Sequence, residues 1–135
     1  MSIVEKLVTA FPDAAHAASV DDAFILANPS IMEIPRALDL LQVVPAYMLW
    51  CAKNPDAPAL VSDRTLQALA EYGRCKDPEN TYLNFRYLCA QSQVEAVSAF
   101  LEWAHETLPF LHEEQLDRAR RNWTGSSNNS SKRTR

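Results

Sequence analysis

Two histidine–glutamate pairs, His105-Glu106 and His112-Glu113, stand seven residues apart near the C-terminal end of the chain. A zinc hydrolase of the helical type places its two histidines four apart on one unbroken helix, so that both rings reach the same metal. Pro109 falls between these two pairs, and the rings need not share a face. Two boundary histidines at a helix junction is the simpler reading, and neither a metal nor another cofactor is expected. Cys51, Cys75 and Cys89 show no C-x-x-C spacing, and their odd number argues against a disulfide framework. Cys75 lies between Arg74 and Lys76, cations that favour a thiolate. It is the candidate nucleophile if a histidine comes near it in space, and an incidental thiol otherwise. Cys51 sits in an apolar stretch and reads as core. Asp21-Asp22 and Glu33 could do acid–base work, but helix capping explains them with fewer assumptions. The segment carrying Tyr82, Phe85, Arg86 and Tyr87 combines aromatic and cationic residues of the kinds that dominate interfaces, and it is the best candidate binding surface. The competing reading pins the same segment to the protein body through Leu83, Phe85 and Leu88.

Composition removes several function classes. The 135 residues contain two glycines, Gly73 and Gly125, 52 positions apart. A phosphate-binding loop or dinucleotide fingerprint needs several glycines within a few residues, so that backbone N–H groups can approach phosphate. The longest apolar run, Val43 to Ala52, is ten residues, well short of the roughly 20 that cross a bilayer. The N-terminal Met1-Ser2-Ile3-Val4-Glu5-Lys6 has an early acid and no long apolar core, unlike a signal peptide. A cytoplasmic location is the expectation.

Charge is unevenly spread. Residues 1–116 hold seven Lys/Arg against sixteen Asp/Glu, a net −9, whereas residues 117–135 carry +5. An acidic body is a poor surface for nucleic acid and a better one for a basic protein. Lys132-Arg133-Thr134-Arg135 lacks the aromatic interleaving of a nucleic-acid arm. A single domain over 1–124 and a disordered basic tail over 125–135 are expected.

The elements that must position these residues are helical. Nineteen alanines and few β-branched runs favour helix. Ser2-x-x-Glu5 is a capping box, and Ile3, Val4, Leu7, Val8 and Phe11 share a face, predicting a helix over 3–11 that Pro12 ends. Asp21-Asp22 opens a short helix through Leu26, closed by Asn28-Pro29-Ser30. Pro35 starts another. Pro45 breaks the chain and restarts it as a central helix over 45–53, apolar all round and therefore buried. Ser62 as N-cap and Gly73 as C-cap bound a helix at 63–72. Leu83, Phe85 and Tyr87 alternate with Asn84 and Arg86, which predicts an extended segment near 82–88. Val94, Val97, Phe100, Leu101 and Ala104 mark the clearest helix, about 91–107. A last helix covers about 110–122. The sum is an all-α, irregular bundle of five or six short helices.

Three features carry a family resemblance. They are the Pro35 helix running into Val44-Pro45-Ala46-Tyr47-Met48-Leu49, a loop-linked middle helix, and Phe85-x-x-Leu88-x-x-x-x-Gln93-x-x-Ala96-Val97-x-x-Phe100-Leu101-Glu102. Over roughly 35–104 the chain resembles an uncharacterised family of small bacterial helical proteins, a domain of unknown function. It departs from that pattern at Cys89-Ala90-Gln91, where the family has a Thr-Pro-Glu helix start. The resemblance implies a bacterial, cytoplasmic, helical protein and supplies no catalytic residues.

Two functions compete at this point. A small acidic helical body without cofactor motifs suits a non-catalytic protein-interaction protein, an immunity-type protein that blocks a toxin being one concrete form. The alternative is a small enzyme or metal-binding protein using His105, His112 and Cys75.

Overall fold

A computed structural model describes residues 2–14, 20–34, 39–58, 60–108 and 113–133, with the backbone alone over 125–133. The described residues form seven α-helices: α1 (Ile3–Ala10), α2 (Asp22–Ala27), α3 (Leu40–Lys53), α4 (Leu60–Arg74), α5 (Phe85–Leu88), α6 (Gln91–Thr107) and α7 (Glu113–Arg133). A 3₁₀ turn, Ile31–Glu33, lies between α2 and α3, and no strand occurs among these residues. The protein is an all-α bundle.

Local chemistry sets the helix starts. At α1 the Ser2 hydroxyl accepts from the Glu5 N–H at 3.1 Å, and the Glu5 carboxylate accepts from the Ser2 N–H at 3.1 Å. These hydrogen bonds to Ser2 hold the Glu5 carboxyl below its ordinary pKa. Asp21 caps α2 by accepting from the Phe24 N–H at 2.9 Å, and Asp39 caps α3 by accepting from the Leu41 N–H at 2.9 Å. At α6 the Gln93 side chain accepts from the Ala90 N–H at 2.8 Å. Each bond satisfies a backbone donor that the first helical turn leaves unpaired.

Three expectations about helix boundaries need correction. Pro45 does not break the chain, because α3 starts at Leu40 and passes through it. Proline removes one helical hydrogen bond and crowds the preceding turn. Here every residue from Val43 to Ala52 is buried, so tertiary packing holds the helix together across that gap. Ser62 is no N-cap: it lies inside α4 and is buried. Gly73 is no C-cap either, since it is helical within α4 and no glycine among the described residues has a positive φ. The predicted Pro35 helix start and His112 lie outside the described residues. The backbone of α7 continues through Gly125 to Arg133, where composition predicts an unstructured tail. Adding residues to a formed helix costs far less than nucleating one.

Gly73 is explained by what packs on it. α4 and α7 make the most extensive helix pairing in the bundle, and near the C-terminal end of α4 a Cβ on Gly73 would stand 2.9 Å from the Trp123 ring. Trp123 is fully buried, and its indole N–H donates to the Leu69 carbonyl at 2.8 Å. The missing side chain on α4 is the space into which the indole fits. α6 also packs on α7, and α1 packs on both α6 and α3. Arg120 of α7 grips the Glu102 carboxylate of α6 through two bonds, at 2.9 and 3.0 Å, and reaches Asp117 at 3.2 Å. These bonds raise the already high pKa of the Arg120 guanidinium. Leu49, Trp50, Phe100 and Leu101 are all buried, as the apolar patterning of their helices requires.

Phe100→Ala is expected to cost about 3–5 kcal/mol in denaturant unfolding, because it empties a fully enclosed site. Gly73→Ala is expected to cost about 1–3 kcal/mol by overpacking, although alanine is intrinsically the better helix former by about 1 kcal/mol. In a Trp123→Phe background, which removes the crowding indole nitrogen, that cost should shrink markedly. A double-mutant cycle measures this coupling.

Candidate functional site

The strongest surface candidate is the connection between α4 and α6. Its loop is shaped by side chains bonding nearby backbone. Asp77 accepts from the Glu79 N–H at 3.0 Å, and Asn80 accepts from the Tyr82 N–H at 3.1 Å. Such Asp and Asn turns replace a regular ladder with local closure. Asn84 is buried and donates to the Pro78 carbonyl at 2.8 Å, which ties the loop's end to its beginning. The chain then enters α5. The expected extended segment at 82–88 is therefore a turn followed by a short helix. The alternation of Leu83, Phe85 and Tyr87 resembles a strand, but the asparagine turns set the backbone.

Phe85 anchors this connection. It is fully buried, with ring centroids 6.2 Å from Phe11, 5.6 Å from Tyr72 and 5.9 Å from Trp123. These separations suit offset and tilted aromatic pairs. Arg86 turns inward too, its guanidinium carbon 5.7 Å from the centre of the Trp123 ring. Its Nε is buried and has no hydrogen-bond partner among the described residues. Tyr82 and Tyr87 point outward, 54% and 44% exposed. The four candidate residues thus divide into two that hold the segment and two that present it. Leu88, expected to pin the segment, is instead 43% exposed and extends the apolar surface beside Tyr87. No signal in the sequence marked Leu88 as exposed, since it follows Phe85 by three positions and helical spacing puts the two near one face.

The remaining candidates among the described residues do not converge. His105 is exposed on α6, and no group of three His, Cys, Asp or Glu side chains that could hold a metal occurs among the described residues. Asp21 serves as a helix cap, while Asp22 and Glu33 are exposed. The Cys75 thiol donates to the Asp77 carbonyl at 3.4 Å, and its neighbour Arg74 is paired with Glu71 at 2.7 Å. Burial pushes the Cys51 thiol up to about 11 and the Cys89 thiol up to about 12, the latter despite the opposing charge of Arg86. No helix among the described residues is long and apolar enough to cross a membrane. Compared with models of known protein families, with curated proteins and with solved structures, the chain matches none.

The thiols give a direct check on this packing. Burial holds the Cys51 and Cys89 thiols protonated at pH 8, and it is the thiolate that reacts. Alkylation of the folded protein at pH 8, followed by mass spectrometry, is expected to label Cys75 first. Cys51 and Cys89 should react only slowly, then rapidly once denaturant is added. Early labelling of Cys51 would contradict the packing of α3 against α4.

Proposed function

We propose that the chain is a non-catalytic interaction protein that holds a protein partner against Tyr82, Tyr87 and Leu88. The observation that supports this reading is the contrast within one short segment. Three large apolar or aromatic side chains are 43–54% exposed while Phe85 between them is fully buried. An aromatic anchor of this kind fixes the presenting backbone before a partner arrives, so less ordering entropy is lost on binding. Tyrosine is also among the residue types enriched at binding hot spots. Asp77 and Glu79 are exposed on the same connection, and residues 1–116 carry a net −9. A partner offering an apolar socket with a basic rim fits that charge. A basic toxin held inactive by an immunity-type protein in the cytoplasm is the concrete form.

A photo-crosslinking amino acid at Tyr87 tests the reading in cells, with the same group at the exposed Leu26 of α2 as control. The expected result is one protein captured from Tyr87 and not from Leu26. With that partner purified, Tyr82→Ser, Tyr87→Ser and Leu88→Ser together should weaken binding by about tenfold or more, with the thermal midpoint of the chain nearly unchanged. Unaltered affinity of the triple variant, or capture from Leu26 alone, would refute the proposal.

A further inference from the structure

The described arginines differ in how their charge is met. Arg64, Arg74, Arg118 and Arg121 are exposed, where water solvates the guanidinium. Arg120 is partly buried, and the carboxylates of Glu102 and Asp117 hold it at 2.9 and 3.2 Å. Arg86 is partly buried as well, but its Nε is out of reach of water and has no hydrogen-bond partner. All 17 Asp and Glu residues of the chain lie within the described residues, and none of them forms an ion pair with Arg86.

A guanidinium that has given up water and gained no acceptor is unfavourable. The Trp123 ring, 5.7 Å away, attracts the charge, but an indole ring is no hydrogen-bond acceptor. Guanidinium carries five N–H donors in a fixed fork, and a carboxylate meets that fork with two parallel bonds. The side chain is also held in advance, since Trp123 and the preceding Phe85 are both fully buried. Part of Arg86 remains at the surface, next in sequence to the exposed Tyr87 and Leu88. Charge favours a carboxylate over a phosphate. Asp77 and Glu79 are exposed on the same connection, and residues 1–116 carry a net −9. A phosphate group carries up to about two negative charges at neutral pH, and it meets correspondingly more repulsion than a single carboxylate.

We propose that Arg86 is the receptor for a carboxylate carried by the protein partner, an Asp or Glu side chain seated alongside the apolar groups that meet Tyr87 and Leu88. The inference rests on the protein-binding reading and adds the partner's chemistry to it: one acid within the apolar socket, inside the basic rim. The Nε–H NMR signals of the arginines in the full chain report on it without any variant. Phenylacetate is the carboxylate probe, phenylacetamide its neutral analogue and inorganic phosphate the competing anion, all at one ionic strength. Phenylacetate is expected to shift the Arg86 signal saturably and to leave that of the exposed Arg64 in place. Phenylacetamide should move neither, and phosphate should move Arg86 less. With the partner captured at Tyr87, Arg86→Gln should weaken binding about tenfold or more. Arg86→Lys keeps the charge without the fork and should restore only part of that loss. The proposal is overturned if phenylacetate leaves Arg86 unmoved, or if the amide or phosphate acts as strongly. Full affinity of a folded Arg86→Gln variant for the captured partner would also overturn it, and would leave the protein-binding reading standing. A responsive Arg86 with no protein captured at Tyr87 would instead refute that reading and make a free small carboxylate the ligand.

Discussion

The indole of Trp123 rests where α4 has no side chain. Its N–H bonds the Leu69 carbonyl, its ring fills the space above Gly73, and its other neighbours are Phe85 and Arg86. Three elements distant in sequence meet on that one ring. α7 is thereby seated on α4, and the 75–90 connection is seated on both. How closely two helices approach depends on the side chains at their contact. Only two glycines occur in the chain, and one of them is at this point. The aromatic group formed by Phe11, Tyr72, Phe85 and Trp123 carries the same constraint on to α1.

This arrangement explains why the candidate surface is both rigid and exposed. α5 is a single helical turn, too short to persist alone in water. Its place comes from Phe85 below and from the asparagine turns before it. Tyr87 and Leu88 can face outward because the cost of ordering their backbone is already met by contacts made elsewhere.

Elements governed by local rules were legible in the sequence. The capping box and apolar spacing located α1 to within a residue, and the run of Val94, Val97, Phe100 and Leu101 located α6. Asp21 and the asparagine after α2 bounded a short helix in a difficult region. The misreadings share a cause. Pro45, Ser62 and Gly73 have strong local meanings as breaker, N-cap and C-cap, and in each case packing between distant helices overrode that meaning. Period-two spacing at 83–87 was real, but over five residues it cannot distinguish a strand from a turn leading into a helix. Two of the four candidate interface residues proved to be anchors, because chain order does not reveal which aromatic side chain of a cluster lies beneath its neighbours.

The Gln93 side chain, besides accepting from Ala90, donates to the Ala10 carbonyl at 3.0 Å, across 83 positions of sequence. The end of α1 is thus closed by a residue from the start of α6. On a ribosome adding roughly 5–20 residues per second, α1 emerges about 4–17 s before the side chain that completes it. Over that interval the apolar face of Leu7 and Phe11 has neither α6 nor Phe85 to cover it. α3 can pack on α1 once residue 53 has been added, but the part of the α1 face that α6 covers stays open until residues 91–107 follow.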